Sequence, residues 1–151
     1  MRNDSLWFTT ARAQVRLSNR DNAQRMSVVE HTMAYGFSPP LHTHHHEAET
    51  FCMLDGVVRF ELNGKATIAG PGEVVHAPAG SVHSFRVMSP DGARFLTITQ
   101  GGFEDMIRET SLPAQTAGLP DQAPPTPAQQ QALAEAGLRN GIELLGAPLA
   151  A

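Results

Sequence analysis

Seven clusters of turn-forming residues, NRDN, FSPP, LDG, LNGK, AGPG, APAG and SPDG, cut the chain between Asn19 and Gly92 into short runs. Gly supplies positive φ, Pro fixes φ, and Asn and Asp hydrogen-bond their own backbone, so each cluster can reverse the chain. The runs between them are β-branched and apolar, as strands require. VVRFELNGKATIAGPG is a clear case. Val58, Phe60 and Leu62 alternate with Val57, Arg59 and Glu61 ahead of an Asn63 and Gly64 turn, which makes one face buried and the other wet. Such a density of turns predicts an all-β antiparallel sandwich or barrel over residues 1–101.

After Gly101 the pattern changes. GFEDMIRET places Phe103, Met106 and Ile107 at helical spacing. SLPAQTAGLPDQAPPTP is a Pro-rich connector, and TPAQQQALAEAGLRNG opens with a Thr126 cap and Pro127 at the first helical position before ending near Gly141. Residues 102–151 therefore read as a helix, loop and helix tail packing on the barrel. Leu138, Ile142 and Leu145 add apolar surface that needs cover.

The 151 residues suit one domain with a real core. Ten arginines and the single Lys65 are scattered along a chain of net charge −4, which leaves no basic stripe for nucleic acid or anionic lipid. Cys52 is the only cysteine, so neither an internal disulfide nor a Cys-rich zinc module can form. No apolar run approaches the roughly 18 residues of a spanning helix, and MRNDSLWFTTARAQVRLSNR lacks the apolar stretch of a secretion signal. The expectation is a soluble cytoplasmic protein whose partners are small molecules.

The chemistry lies in GFSPPLHTHHHEAETFCMLDG. His42 and His44 are two apart, so on a strand both imidazoles project from one face and can share an ion. Glu49 follows at an odd separation, and the intervening HHEA must bend or bulge to bring it to the same side. His83 arrives on another strand after the Pro78 and Gly80 turn. Three imidazoles and a carboxylate suit one divalent transition metal, Fe, Mn, Ni, Co or Zn, with room left for water or substrate. Parity from Glu49 puts Phe51 and Met53 on the metal's side, and parity from His83 does the same for Phe85 and Val87. Tyr35 and Phe37 precede the histidines and are candidates for the rim of that substrate pocket.

At these residues the chain resembles the cupin superfamily. Gly36, His42, His44, Glu49 and Gly56 match G(x)5HxH(x)4E(x)6G, and Gly72, Pro78, Gly80 and His83 match G(x)5PxG(x)2H. Val87 stands where an Asn often ends the second motif. The same spacing sets aside the rival pair His44 and His46, and leaves His45, His46 and Glu47 as solvated loop residues. His76 reads as a hydrogen-bonded structural residue, His31 as an ordinary strand residue, and Cys52 as core packing that faces away from the metal.

The resemblance implies a cupin β-barrel, a double-stranded β-helix or jelly roll, holding its metal inside on His42, His44, Glu49 and His83. VVEHTMAYGFSPPLHTHHHEAETF, GPGEVVHAPAGSVHSFRV and the tail segments GGFEDMIRE and GIELLGAPL look like the small cupins related to bacterial quercetin 2,3-dioxygenase. That likeness implies a homodimeric, metal-dependent dioxygenase that joins dioxygen to a flavonol-like hydroxylated aromatic or enolisable molecule, with Glu49 as catalytic base. A non-oxidative isomerase or decarboxylase, or a binding protein without turnover, are the alternatives.

Overall fold

A computed structural model describes residues 4–151. The strands in chain order are β1 (Ser5–Phe8), β2 (Ala11–Leu17), β3 (Ser27–Met33), β4 (Pro40–His44), β5 (Glu49–Asp55), β6 (Val58–Leu62), β7 (Lys65–Ala69), β8 (Val74–Ala77), β9 (Val82–Val87) and β10 (Ala93–Thr99). Helix α1 (Phe103–Thr110), the short β11 (Leu112–Pro113), helix α2 (Pro127–Arg139) and β12 (Ile142–Pro148) complete the chain. Two antiparallel sheets form a jelly-roll sandwich: β11-β1-β2-β3-β10-β5-β8 and β12-β4-β9-β6-β7.

The turns behave as the sequence requires. Asn63 and Gly64 have φ of 49° and 81°, the two positive values that a tight two-residue hairpin needs, and Leu62 pairs with Lys65 across them. Strict alternation of buried and half-buried residues along β3 and β10 points Val29, His31, Met33, Phe95 and Thr97 inward. At one end of the interior Phe51, Phe60, Phe85 and Phe95 interlock, with ring centroids 4.9 Å apart for Phe51 and Phe60 and 5.4 Å for Phe85 and Phe95.

The tail fills the other end. Phe103, Met106 and Ile107 of α1 pack with Leu6, Phe8, Val15 and Val29, as their helical spacing predicts. Buried Glu104 fixes the helix: its carboxylate accepts hydrogen bonds from Ser18 Oγ at 2.7 Å, Asn19 N at 2.8 Å, Ser27 Oγ at 2.8 Å and Arg108 Nε at 2.8 Å. Helix α2 begins at the Thr126 cap, which forms a reciprocal capping box with Gln129.

Two features of the tail differ from the sequence expectation. GIELLGAP is not loop but largely strand, and β12 pairs with β4 so that Ile142 lies opposite His44 and Leu144 opposite His42. Leu138 and Leu145 are exposed, and the cover they were expected to need falls on Ile142 instead.

Candidate metal centre

His42 and His44 end strand β4 and face inward together, as their separation by two requires. The chain bends at His45 and His46 before β5 starts at Glu49, and this bend resets the parity. Ladder pairing sets His83 of β9 directly opposite His42, with ring centroids 4.4 Å apart. One ligand-type atom from each of His42, His44, Glu49 and His83 falls within 4.8 Å of the others, and all four residues are buried. Glu49 Oε1 is the common point, 3.1 Å from His83 Nε2 and 3.5 Å from His44 Nε2.

The hydrogen bonds around the rings prepare them for a cation. His42 Nδ1 donates to the Pro40 carbonyl at 2.7 Å and His83 Nδ1 to the Ser81 carbonyl at 3.3 Å. Each ring is thereby left with its Nε2 lone pair directed inward. Lone pairs on His83 Nε2 and Glu49 Oε1 at 3.1 Å repel unless a proton or a metal ion stands between them. His44 is 1% exposed, and neither of its ring nitrogens has a hydrogen-bond partner. Orphaned buried nitrogen of this kind is costly unless it has a ligand, so the residues fit a borderline divalent metal.

Electrostatics agree. Burial pushes the Glu49 carboxyl up, but His44, His83 and His42 outweigh it and hold the group at about 2. Burial, reinforced by His83 and His44, depresses His42 to about 4, so its ring is neutral and able to coordinate near pH 7. Burial also opposes charge on His44, yet Glu49 and Glu47 prevail and raise it.

The remaining histidines lie apart. His45 is exposed and bonds Glu143 at 2.8 Å, His46 is exposed, and His76 on the outer face of β8 bonds Thr50 at 2.8 Å. His31 is buried, bonds Thr97 Oγ1 at 2.9 Å, and stacks between Phe95 and Phe103. Burial lowers it to about 4. Cys52 is half-buried on the alternate face of β5.

Of the six expected pocket residues, Phe51, Met53, Phe85 and Val87 are all buried in the aromatic end of the interior. Phe51 approaches His83, with centroids 6.3 Å apart. Phe37 is half-buried and stacks on Phe85 at 6.1 Å. Tyr35 is separated from them: it is 58% exposed and lines a surface groove of about 380 Å³ with Asp55, Arg94 and Leu119. The groove contains none of the four clustered residues.

Two neighbours of the site differ from, or are absent from, the sequence expectation. Glu47, expected as a solvated loop acid, is 6% exposed, and its Oε2 accepts the Phe103 N–H at 3.2 Å. The Phe103 ring lies edge-on to His44 at 5.3 Å. The amphipathic spacing of α1 put Phe103 inside, but nothing in the sequence set it against a histidine.

The chain matches the family model described as "Cupin domain" over residues 29–99. It is 31% identical over 104 residues to quercetin 2,3-dioxygenase of Bacillus subtilis (strain 168); the match covers 69% of this chain but only 29% of that protein. Among solved structures, a predicted oxalate decarboxylase from Thermotoga maritima superposes with a TM-score of 0.57 at 24% identity, covering 60% of this chain and 79% of that one. The Schizosaccharomyces pombe Cnp3 cupin domain superposes with a TM-score of 0.56 at 16% identity, covering 63% and 66%. Strand order, site and sequence match therefore agree that the chain belongs to the cupin superfamily.

Proposed function

We propose that this cupin is a metal-dependent dioxygenase of the quercetinase kind, which acts on a flavonol-like hydroxylated aromatic or another enolisable small molecule. The observation that carries this reading is the buried cluster of three imidazoles and one carboxylate, in which Glu49 Oε1 lies within 3.5 Å of both His44 and His83. The likeness to the Bacillus subtilis enzyme supports it over the part of that protein the chain spans. His42, His44, Glu49 and His83 would hold one Fe, Mn, Ni, Co or Zn ion, which supplies Lewis acidity to a substrate oxygen.

The chain's own residues do the rest. The Pro40 and Ser81 carbonyls hold the rings of His42 and His83 in one tautomer. Phe51 and Phe103 flank the site with apolar surface that excludes water and suits a flat ligand. Glu49, ionised at neutral pH, is the proton acceptor. Its low basicity matches it to an already acidic enol or phenol rather than to an ordinary alcohol.

The test combines elemental analysis of untagged protein with oxygen-electrode assays over a panel of flavonols and simpler enols. Stoichiometric oxygen uptake with substrate loss is expected. Turnover without oxygen uptake would replace the dioxygenase with a non-oxidative isomerase or decarboxylase, and binding without turnover would leave a small-molecule binding protein.

A further inference from the structure

We propose that Glu47 is the positioning residue for His44, selecting the tautomer that leaves His44 Nε2 free to coordinate. The inference rests on reading His42, His44, Glu49 and His83 as metal ligands. Two of the three imidazoles have a backbone carbonyl to receive their Nδ1 proton, Pro40 O for His42 and Ser81 O for His83. His44 has none. Its Nδ1 faces Glu47 Oε1 at 3.8 Å, and each of these buried atoms lacks a hydrogen-bond partner. A closure of about 1 Å would join them at ordinary hydrogen-bond length and satisfy both.

The other carboxylate oxygen of Glu47 accepts the first N–H of α1, from Phe103. Glu47 thus stands between the Phe103 amide and the His44 ring, and a side chain with two acceptor oxygens can serve both, where an amide side chain cannot. Gly101 makes room for it: a Cβ there would sit 2.5 Å from Glu47 Oε2 and 3.1 Å from its Cδ. The start of the tail is therefore shaped around a carboxylate whose free oxygen is turned to a ligand ring.

A helix cap without further purpose would produce some of the same contacts, and Glu47→Gln separates the two roles. The amide oxygen still caps Phe103 N, but the amide NH2 then points at His44 Nδ1 and favours the tautomer with the proton on Nε2, which cannot coordinate. Cobalt(II) affinity, followed by the visible absorption of the bound ion and by chelator competition, should fall about 10- to 100-fold in Glu47→Gln, with metal-free thermal stability close to wild type. Glu47→Ala should lose thermal stability as well, because it removes the cap. Wild-type cobalt affinity and spectrum in Glu47→Gln would overturn the positioning role while leaving the ligand set intact. Failure of the wild-type protein to bind one cobalt, or full binding by His83→Ala, would instead overturn the ligand reading and the inference with it.

Discussion

His83 Nε2 and Glu49 Oε1 meet at 3.1 Å across the sandwich, one carried by the five-stranded sheet and the other by the seven-stranded sheet. The full donor set exists only when the sheets are closed on each other, so an ion bound there binds the folded chain far more tightly than the unfolded one, which keeps only the local histidines between His42 and His46. Saturating metal should raise the unfolding free energy by about 2.7 kcal/mol at a free concentration of 100 Kd.

Metal content should approach one ion per chain and depend on His42, His44 and His83. Alanine at any of these should abolish or greatly weaken binding, whereas alanine at exposed His45 or His46 should not. Elemental analysis after gel filtration decides the matter, and a His83→Ala protein that keeps its full complement would remove His83 from the set.

Metal-free protein should lose stability as pH falls from 6.5 towards 4. Buried His31 and His42 stay neutral until about 4, whereas unfolded imidazole takes its proton near 6.5, so across that window the unfolded chain binds more protons. His44 works the other way: its folded value is raised above 6.5, so its contribution is fully present below 6.5 and is lost as pH rises from there through the higher folded value. Glu49 adds a second acid loss, because its contribution is present above 4.5 and disappears as pH falls through about 2. His31→Leu should flatten the slope between pH 6.5 and 4 by up to about 1.4 kcal/mol per pH unit in urea titrations. An unchanged slope would show that His31 is not held neutral by burial.

What the sequence disclosed was what local rules decide. The Asn63 and Gly64 hairpin needs only its own dihedrals, and the shared face of His42 and His44 follows from the period of a strand. Glu49 required one further step, a bend to reset parity, and the bend at His45 and His46 supplies it. The features left unread depend on partners distant in the chain. Strand β12 lacks clean alternation and contains Gly146 and Pro148, so only its pairing with β4 makes it a strand. Glu47 is buried because α1 is laid over it, and the segment between β4 and β5 holds no sign of that. Tyr35 lies beyond the positive-φ turn at Gly36, where strand parity from the histidines no longer applies.

Gly101 and Gly102 should respond differently to alanine. At Gly101 the obstacle is the Glu47 side chain, which can move, so Gly101→Ala should disturb the Phe103 cap at a cost of about 1 kcal/mol and weaken metal binding through His44. At Gly102 the added Cβ meets the Asn140 carbonyl oxygen, and backbone cannot step aside, so Gly102→Ala should cost more. Chemical denaturation of the two metal-free variants tests the order. Equal costs would mean that the α1 and α2 ends are not packed as closely as the structure places them.

The tail should matter to the site through β12 as much as through α1. Ile142 is buried against the α1 and α2 residues and lies in register with His44, while the Gly141 carbonyl accepts the His45 N–H at 2.8 Å. Ile142→Ala should therefore cost about 3 kcal/mol, in the range of a buried large-to-small change, and also loosen the strand that presents two ligands. Leu145→Ala is the matched control, since Leu145 is exposed on the same strand. Cobalt affinity should fall in Ile142→Ala at a temperature where the variant is still fully folded, and remain unchanged in Leu145→Ala. If Ile142→Ala is destabilised but binds cobalt like wild type, β12 is a packing element only, and the register between Ile142 and His44 has no part in holding the ligands.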